Sequence, residues 1–305
     1  CGSGMKAAMF AHDMLLAGSH DVMGAGGMGR MTSSPCLPQK GRGGYRLGHD
    51  RIFDHMMLDG LEDAYEPGRS MGTFGEDCAA KYGFTRAEQD AFATASVERA
   101  KAATASGAFA AEITPVTVKS RAGETVVSVD EGPGKVKLDK IASLKPAFKK
   151  DGTITAASSS SINDGAAALV MMRASTATKL GCKPLARIVG HATHAQEPEW
   201  FATAPLGATQ KALAKAGWAV GDVDLWEINE AFAVVPMALM KELNLPHDKV
   251  NVNGGACALG HPIGASGARI MVTLIYALQA RGLKKGLATL CIGGGEATAV
   301  AVELV

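Results

Sequence analysis

The segment His261-Pro262-Ile263-Gly264-Ala265-Ser266-Gly267-Ala268-Arg269 decides how this chain folds. Its small residues allow a tight turn, and the apolar sequence that follows predicts a helix over 266–279. That helix leads into an apolar stretch over 286–291, which is typical of a buried strand. The strand ends at Gly293-Gly294-Gly295, so the unit consists of a helix, a strand and a glycine turn.

A second unit of the same kind occupies the start of the chain. Cys1-Gly2-Ser3-Gly4 precedes a predicted helix over 5–16, a short strand around 21–23 and a glycine-rich turn over 24–27. Two similar units at opposite ends of the chain predict a duplicated α/β fold. We expect a pseudo-twofold axis to relate the two halves.

The middle of the chain, residues 31–162, is less regular and is interpreted as an excursion from the main fold. After residue 162 the alternation of helices and strands returns. The remaining predicted helices cover 85–106, 164–172 and 207–216, and the remaining predicted strands cover 113–119, 125–129, 186–191, 224–227 and 298–303.

Charge and cysteine content exclude several classes of protein. The 31 basic and 30 acidic side chains give a formal net charge of +1, so no global field favours nucleic acid or a membrane surface. Charged side chains such as Arg269 and Arg281 interrupt the most apolar stretches, and we therefore expect no membrane span. The six cysteines lack both CxxC spacing and the density of a disulfide scaffold, which predicts a reducing, cytoplasmic location.

Cysteine, histidine and asparagine residues beside glycines are the candidates for chemistry. Cys1 precedes a predicted helix, whose dipole favours a nucleophilic thiolate, but a small buried residue at a turn is an equal interpretation. His261 and Cys291 also adjoin glycines, and each alone is more often structural. Asn229 alone could cap a helix that begins at Glu230. Together these residue types supply a nucleophile, a base, a second thiol for proton transfer and oxyanion donors.

Four short segments carry this chemistry, in the order Cys1-Gly2-Ser3-Gly4, Asn229-Glu230-Ala231-Phe232, Gly260-His261-Pro262 and Cys291-Ile292-Gly293-Gly294-Gly295. Further motifs are Ala25-Gly26-Gly27-Met28, Met71-Gly72-Thr73, Gln89-Asp90-Ala91-Phe92-Ala93, Asn163-Asp164-Gly165-Ala166-Ala167 and Val250-Asn251-Val252-Asn253-Gly254-Gly255-Ala256. In this order the motifs resemble the thiolase family, the acetyl-CoA acetyltransferases. The resemblance covers the chain from end to end, and chance agreement over so many ordered motifs is negligible.

The resemblance implies an enzyme that interconverts two acetyl-CoA with acetoacetyl-CoA and CoA. Cys1 would accept the acyl group, His261 would activate Cys1, and Cys291 would remove the α-proton of the second acyl-CoA. Asn229 would hold a water that stabilises the enolate together with His261, and the N–H groups of Cys1 and Gly293 would form the second oxyanion hole. The eight histidines show no HxH or HExxH spacing, and we expect no metal and no cofactor besides CoA as substrate.

The resemblance also implies a binding site for CoA and for the acyl group. The residues implied to line CoA are Ser160, Ala156 and Phe148, and those implied to lie near the acyl group are Met71, Ala231 and Phe232. Lysines over 135–150 offer local positive charge, although any one lysine is more often part of a solvated face. Ser70 replaces a histidine that is common in the family, and Phe201 replaces a methionine. Phe201 could narrow the pocket, which predicts a preference for short acyl chains; the alternative is that Trp200 and Phe201 are ordinary core residues.

The fold implied by the resemblance is the duplicated five-layered α-β-α-β-α arrangement of thiolases, with a loop domain inserted in the first half. Residues 1–30 and 163–184 are assigned to the N-terminal half, 31–162 to the loop domain that covers CoA and mediates oligomerisation, and 185–305 to the C-terminal half. Family members are dimers or tetramers, so we expect a homo-oligomer built as a dimer of dimers.

The position of Cys1 at the start of the sequence departs from the family pattern. Thiolases carry about ninety residues before the nucleophile, which is the size of a typical half-domain. We therefore expect the first half to be truncated, with an exposed sheet edge. We also expect a companion polypeptide, cleaved from the same precursor immediately before Cys1, to pack in its place.

Two other functions compete with the acyltransferase. An N-terminal-nucleophile hydrolase uses a terminal cysteine whose own α-amine is the base, and Cys1 meets that criterion. Such an enzyme leaves His261, Cys291 and Asn229 unexplained. A catalytically silent thiolase-like protein that binds acyl-CoA is the second alternative, and the presence of all four residues argues against it.

Overall fold

The chain alternates helices and strands in a computed structural model that describes residues 1–305. The helices are α1 (Ser3–Leu16), α2 (Met71–Tyr82), α3 (Arg86–Ser106), α4 (Gly132–Lys135), α5 (Ala174–Leu180), α6 (Ala204–Ala216), α7 (Val234–Leu243), α8 (Ala256–Leu259) and α9 (Ile263–Arg281). The strands are β1 (Val22–Gly29), β2 (Cys36–Pro38), β3 (Ile52–Asp54), β4 (Val116–Ser120), β5 (Gly123–Val127), β6 (Gly165–Met172), β7 (Ala186–Ala195), β8 (Leu225–Ile228), β9 (Lys285–Ile292) and β10 (Glu296–Leu304).

Helices α1 and α9 lie side by side between two β-sheets. On one side, β1 and β6 form a two-stranded antiparallel sheet; on the other, four strands lie in the order β7-β10-β9-β8. Helix α6 covers the opposite face of the four-stranded sheet. The layers therefore run β-α-β-α, which matches four consecutive layers of the expected five-layered arrangement.

The two central helices begin similar structural units, as the internal repeat predicts. Helix α1 leads into β1, which pairs antiparallel with β6, and α9 leads into β9, which pairs antiparallel with β10. The chain between β1 and β6 contains the whole middle region, whereas a tight glycine turn joins β9 to β10. The duplicated α/β fold is thus confirmed, with a long insertion in its first copy.

Two apolar clusters hold these layers together. The larger cluster has 28 buried residues and lies between the four-stranded sheet and the helices α2, α6 and α7. The second has 16 buried residues from α1, α9 and both sheets, including Met5, Met9, Ile270 and Met271. Burial of these side chains fixes α1 and α9 relative to each other, and with them the residues at their N-termini.

Glycines allow α1, α9 and β1 to approach one another at backbone distance. A Cβ atom on Gly264 would lie 2.0 Å from the carbonyl oxygen of Met28, and one on Gly27 would lie 1.9 Å from the carbonyl oxygen of Gly264. A Cβ atom on Gly267 would lie 2.4 Å from the backbone nitrogen of Met5. No other residue type fits at these contacts, so the small residues at the start of α9 determine the central packing.

Two predictions in the first half are wrong. The predicted helix over 164–172 is the strand β6, and the predicted turn over 24–27 belongs to β1. Alanine favours helices intrinsically, but pairing with β1 overrides that preference here. Gly26 faces Ala168 across the pair, and a Cβ atom on Gly26 would lie 2.2 Å from the carbonyl oxygen of Ala167. The glycines of β1 therefore serve close strand packing rather than a turn.

The other predicted helices and strands are confirmed, with ends within four residues of the predicted bounds, except that the strand predicted around 21–23 extends to Gly29. The helix predicted over 85–106 is α3, whose N-terminus has a capping box. The Thr85 hydroxyl accepts from the Glu88 N–H at 3.2 Å, and the Glu88 carboxylate accepts from the Thr85 N–H at 2.7 Å. Gly107, in the left-handed conformation, ends the helix.

Helix α9 contradicts the expectation that charged residues exclude a membrane-length segment. By length and composition, Ile263–Arg281 is apolar enough to cross a membrane. Most of the helix is buried between the two sheets of the protein. Its apolar composition is therefore accounted for by packing in the core.

The middle region contributes helices that pack against the C-terminal half and hairpins that project from it. Helix α2 joins the larger apolar cluster, and α3 packs against α8. Strands β2 and β3 form one two-stranded hairpin, and β4 and β5, whose residues are all exposed, form another. The assignment of 31–162 to a loop domain stays a prediction, as do the other domain boundaries.

Candidate active site

The candidate catalytic residues lie near the N-termini of two helices and the carboxyl ends of two strands of the four-stranded sheet. Cys1 lies immediately before α1 and His261 shortly before α9. Asn229 follows β8, Cys291 is the penultimate residue of β9, and Gly293 follows that strand. Because β8 and β9 are parallel neighbours, their carboxyl ends lie at the same edge. The fold thus brings the five predicted catalytic residues to one end of the central layers.

Cys1 is half-buried where α1 meets the end of β9. A Cβ atom on Gly2 would lie 2.4 Å from the Cδ1 atom of Ile292, so a larger residue here would require the Ile292 side chain to shift. No side chain caps the N-terminus of α1. Its first N–H groups and the positive end of its dipole are therefore available to stabilise a thiolate on Cys1.

The hydrogen bonds of His261 leave one ring nitrogen free to act as a base. Its Nδ1 lies 2.5 Å from the Ser266 hydroxyl, which donates its own proton to the Pro262 carbonyl at 3.1 Å. With that donation the hydroxyl can accept from an Nδ1–H group, the tautomer in which the lone pair lies on Nε2. Nε2 is buried and has no hydrogen-bond partner in the protein. This arrangement suits a proton acceptor that faces a reacting group.

Burial keeps His261 neutral. Desolvation, with a smaller contribution from the positive charge of Arg269, lowers the pKa of His261 to about 3. At neutral pH the imidazole is therefore unprotonated. It can accept a proton from a thiol without first losing one.

Asn229 lies beside His261 with an unused acceptor. Its backbone N–H donates to the Thr289 carbonyl at 3.0 Å, which fixes the residue at the end of β8. Its Nδ2 lies 3.5 Å from the His261 Nδ1, and its buried Oδ1 has no partner. Helix α7 begins only at Val234, so the alternative role of Asn229 as a helix cap is wrong. The amide is free to bind a water or a ligand oxygen.

Cys291 is a buried thiol within β9. Only 1% of its surface is exposed, and burial raises its pKa to about 12. It is therefore protonated at neutral pH and, once deprotonated, is a strong base. A structural cysteine shows the same burial, so the proposed role of Cys291 depends on its position among the other residues.

Glu230 ties together the segments that carry Asn229 and His261. Its buried carboxylate accepts from the Ser96 hydroxyl at 2.7 Å, the Asn251 amide at 2.8 Å and the Cys257 N–H at 2.9 Å. These donors come from α3, from the loop between α7 and α8, and from α8. In the sequence, Glu230 belongs to a motif but has no predicted catalytic role. Its position next to Asn229 in that motif was the available signal.

The predicted CoA-binding loop is joined to the Asn229 segment. The Ser160 N–H and hydroxyl both donate to the Ala231 carbonyl at 3.0 Å, and the Ala233 N–H donates to the Ser158 carbonyl at 2.8 Å. The His261 N–H donates to the carbonyl of the next residue of this loop, Ser161, at 3.0 Å. Ser160 and Ala231 are therefore adjacent, as expected for one binding site.

Aromatic side chains form one wall beside these segments. The Phe148 ring is edge-on to Phe232, with centroids 5.6 Å apart, and Phe201 lies 6.4 Å from Phe232. A Cβ atom on Gly72 would collide with the Phe148 ring at 2.3 Å. Phe148, Phe201 and Phe232 are thus brought together, whereas Ala156 is exposed at the start of the loop.

A cavity of about 300 Å³ opens in front of Cys1. Of the predicted site residues, Cys1, Met71 and Gly293 line it, while His261, Asn229 and Cys291 are buried and do not. The other lining residues are Asp59, Gly60, Glu62, Ala64, Tyr65, Ile263, Ile292, Gly294 and Glu296. The part of the cavity wall formed by residues 59–65 was not predicted from the sequence, because no motif marks that stretch.

The contact between Ser266 and His261 predicts a loss of activity in Ser266→Ala. Removal of the acceptor leaves the Nδ1–H of His261 buried without a partner, which costs about 1–3 kcal/mol and frees the ring to rotate. We expect kcat for cleavage of acetoacetyl-CoA to fall about tenfold or more. Ser120→Ala, in the exposed β4–β5 hairpin, is the matched control and retains wild-type kcat. Full activity in Ser266→Ala would show that Ser266 does not set the state of His261.

Comparison with known families matches both halves of the chain to one family. The family model described as "Thiolase, N-terminal domain" matches residues 1–175, and "Thiolase, C-terminal domain" matches residues 182–304. An acetyl-CoA acetyltransferase from Chromobacterium violaceum is 52% identical over 305 residues, which are 99% of this chain and 78% of that protein. A probable acetyl-CoA acetyltransferase from Dictyostelium discoideum is 49% identical over 304 residues, 99% of this chain and 73% of that protein.

Solved structures of thiolases are also similar to this chain. The acetyl-CoA acetyltransferase of Bacillus anthracis superposes with a TM-score of 0.95 at 44% identity, over 100% of this chain and 77% of that one. The human mitochondrial 3-ketoacyl-CoA thiolase superposes with a TM-score of 0.94 at 37% identity, over the same shares of both chains. From the order of its layers, the placement of its motifs and these matches, the chain belongs to the thiolase family.

Proposed function

We propose that the protein transfers acyl groups between CoA thioesters through an acyl-cysteine on Cys1, and interconverts two acetyl-CoA with acetoacetyl-CoA and CoA. The observation that carries this proposal is the junction of α1, α9 and β9. There the half-buried Cys1 thiol lies just before α1 and lines a cavity, and His261, just before α9, is a neutral imidazole whose Nε2 has no partner. The names of the acetyl-CoA acetyltransferases that the chain resembles support acetyl-CoA as the substrate.

In the first half-reaction, His261 accepts the proton of the Cys1 thiol on Nε2. The thiolate attacks the thioester carbonyl, and the negative charge develops on the carbonyl oxygen. Nitrogen donors at Cys1 and Gly293 stabilise that oxyanion, and one well-placed donor contributes about 3 kcal/mol. The carbon–sulfur bond to CoA then breaks. The CoA sulfur takes the proton from His261, and the acetyl group remains on Cys1.

In the second half-reaction, Cys291 acts as the base in its thiolate form, which forms when its thiol gives up a proton to solvent and which each turnover regenerates. It removes an α-proton from a second acetyl-CoA, and the enolate oxygen is stabilised by His261 and by a water on Asn229. The enolate carbon attacks the acetyl carbonyl on Cys1, a carbon–carbon bond forms and the Cys1 sulfur leaves. Cys291 returns the proton to that sulfur. Because burial raises the pKa of Cys291 to about 12, its thiolate is basic enough to assist this demanding step.

The direct test is cleavage of acetoacetyl-CoA by the purified chain with and without free CoA. We expect loss of acetoacetyl-CoA only when CoA is present, with two acetyl-CoA formed for each CoA consumed. Release of acetoacetate without CoA would support a hydrolase that uses Cys1 and would contradict the proposal. Binding of acetoacetyl-CoA without turnover would support a silent binding protein.

The acyl pocket is proposed to prefer short chains. Phe201 is 3% exposed and packs edge-on against Phe74, with centroids 6.2 Å apart, as well as beside Phe232. In Phe201→Met we expect kcat/KM for 3-ketohexanoyl-CoA, relative to acetoacetyl-CoA, to rise about tenfold, since one methylene in a pocket is worth about 1–3 kcal/mol. Phe109→Met changes another buried phenylalanine and serves as the control. An unchanged ratio would place Phe201 outside the acyl pocket.

Oligomerisation through the region 31–58 is also proposed, together with a cytoplasmic location. In this region β2 and β3 form a hairpin, and Tyr45, Leu47 and Ile52 are 57%, 101% and 72% exposed. Exposed apolar side chains of this kind are typical of protein interfaces. Light scattering is expected to give the mass of a dimer or tetramer. Tyr45→Ser with Leu47→Ser is expected to lower it.

A further inference from the structure

Three polar side chains meet between the C-terminal end of α1 and strand β7, at the end of α1 opposite Cys1. His12 and Asp13 lie near the C-terminal end of α1, and His191 lies in β7 of the four-stranded sheet. His191 Nε2 is 2.9 Å from Asp13 Oδ1 and 3.1 Å from His12 Nδ1, and His12 Nδ1 is 3.2 Å from Asp13 Oδ1. The three atoms therefore form a nearly equilateral triangle. None of these residues has a role in the proposed reaction.

The triangle has the dimensions of one face of a tetrahedral metal site. Ligands that lie about 2.0–2.2 Å from a tetrahedral Zn²⁺ are roughly 3.3–3.6 Å apart. The observed separations of 2.9, 3.1 and 3.2 Å are a few tenths of an ångström shorter. An ion therefore requires the three ligand atoms to move apart by only a few tenths of an ångström.

The donor set and its orientation also fit an ion. Two imidazole nitrogens and one carboxylate oxygen are ligands that Zn²⁺ and its neighbours in the first row prefer. The His191 Nδ1 atom is buried and has no hydrogen-bond partner, so all polar contacts of this ring are made through Nε2. The rings of His12 and His191 meet edge-on, with centroids 4.9 Å apart, which lets both nitrogens face the same space.

The solvent exposure of the three side chains leaves a path by which a metal ion could enter. The His191 and His12 side chains are 11% and 23% exposed, whereas Asp13 is 58% exposed. One side of the triangle is thus open to solvent. A water can complete a fourth position there, as in other sites with three protein ligands.

We propose that His12, Asp13 and His191 bind a divalent metal ion of the Zn²⁺ class that joins α1 to the four-stranded sheet. Such an ion binds the folded chain, since α1 and β7 are distant in sequence, and it therefore stabilises the fold. Helix α1 carries Cys1 at its opposite end, so the ion fixes the helix that positions the nucleophile. The site is separate from the candidate active site and takes no part in the proposed reaction.

Metal titration of the full chain tests the proposal. After removal of metal with a chelator, the wild type is titrated with ZnCl₂ against a chromophoric competitor, and separately with CoCl₂, whose visible spectrum reports coordination geometry. We expect one site that is lost, or weakened at least about tenfold, in His191→Gln and in Asp13→Asn. Because Asp13 is exposed, Asp13→Asn is expected to fold even if His191→Gln does not. Saturating Zn²⁺ is also expected to raise the melting temperature of the wild type but not of Asp13→Asn.

Two controls separate this site from other groups that bind metal. His55→Gln removes the histidine of an exposed pair with Asp59, 2.8 Å apart, which offers only two ligands, and is expected to bind as the wild type does. All variants keep the six free cysteines, so binding to thiols is the same in each. Equal affinity for Zn²⁺ in the wild type, His191→Gln and Asp13→Asn would overturn the proposal and leave the triangle as a hydrogen-bonded contact.

Discussion

Cys291→Ala is expected to accept an acetyl group on Cys1 at close to the wild-type rate and to form almost no acetoacetyl-CoA. The substitution removes the base for the α-proton but leaves the Cys1 thiol, the free Nε2 of His261 and the helix dipole in place. Loss of a positioned base costs about 10²–10⁴-fold in rate. We therefore expect a stoichiometric burst of CoA from acetyl-CoA, followed by condensation slowed at least about 10²-fold.

The control for this experiment is Cys182→Ala, which removes an exposed thiol. It is expected to condense acetyl-CoA at the wild-type rate. If Cys291→Ala also lost the burst, Cys291 would act in both half-reactions or would serve only to pack β9. Urea unfolding of both variants distinguishes these outcomes, since a packing role predicts a matching loss of stability.

His261→Gln is expected to slow both half-reactions by about 10²–10⁴-fold, because His261 accepts the Cys1 proton and also contributes to the enolate site. The glutamine is close in size to histidine and can still donate to Ser266, so the fold is expected to persist. Stopped-flow measurement of CoA release gives the acylation rate, and steady-state condensation gives the second step.

The pH dependence provides an independent check on His261. Burial lowers the pKa of His261 to about 3, so the imidazole stays neutral from pH 5 to 8 and the acylation rate of the wild type should show no inflection near pH 6.5. A clear rise centred near pH 6.5 would mean that His261 titrates as an ordinary histidine. His20→Gln, at an exposed position, is the control and is expected to match the wild type.

The candidate catalytic residues named from the sequence lie together in the fold, whereas part of the first half of the fold was assigned wrongly from the sequence. The residues adjoining glycines or strand ends are Cys1, Asn229, His261 and Cys291. Motifs at such positions can be identified from the sequence even when the bounds of the neighbouring helices are wrong. Strand β6 was mistaken for a helix because its alanines favour helix locally, while its state depends on pairing with β1, more than 130 residues away. Pairing over that distance leaves no local signal.

The supporting contacts of the site were less accessible to sequence reasoning. Glu230 accepts hydrogen bonds from three separate segments, and Ser266 orients His261 across one turn at the start of α9. Both residues lie inside quoted motifs, but their partners become evident only when α3, α8 and α9 pack together. The cavity wall over 59–65 belongs to an irregular stretch with no periodic pattern.

The central claim is that Cys1 carries the acyl group, and mass spectrometry of the trapped intermediate tests it most directly. The chain is incubated with acetyl-CoA, quenched in acid to preserve the thioester and digested. We predict an acetyl group on the side-chain sulfur of Cys1 that free CoA removes before the quench, and no such adduct in His261→Gln after the same short exposure. Acetylation at Cys291 with Cys1 unmodified, or an adduct on Cys1 that CoA does not remove, would contradict the account.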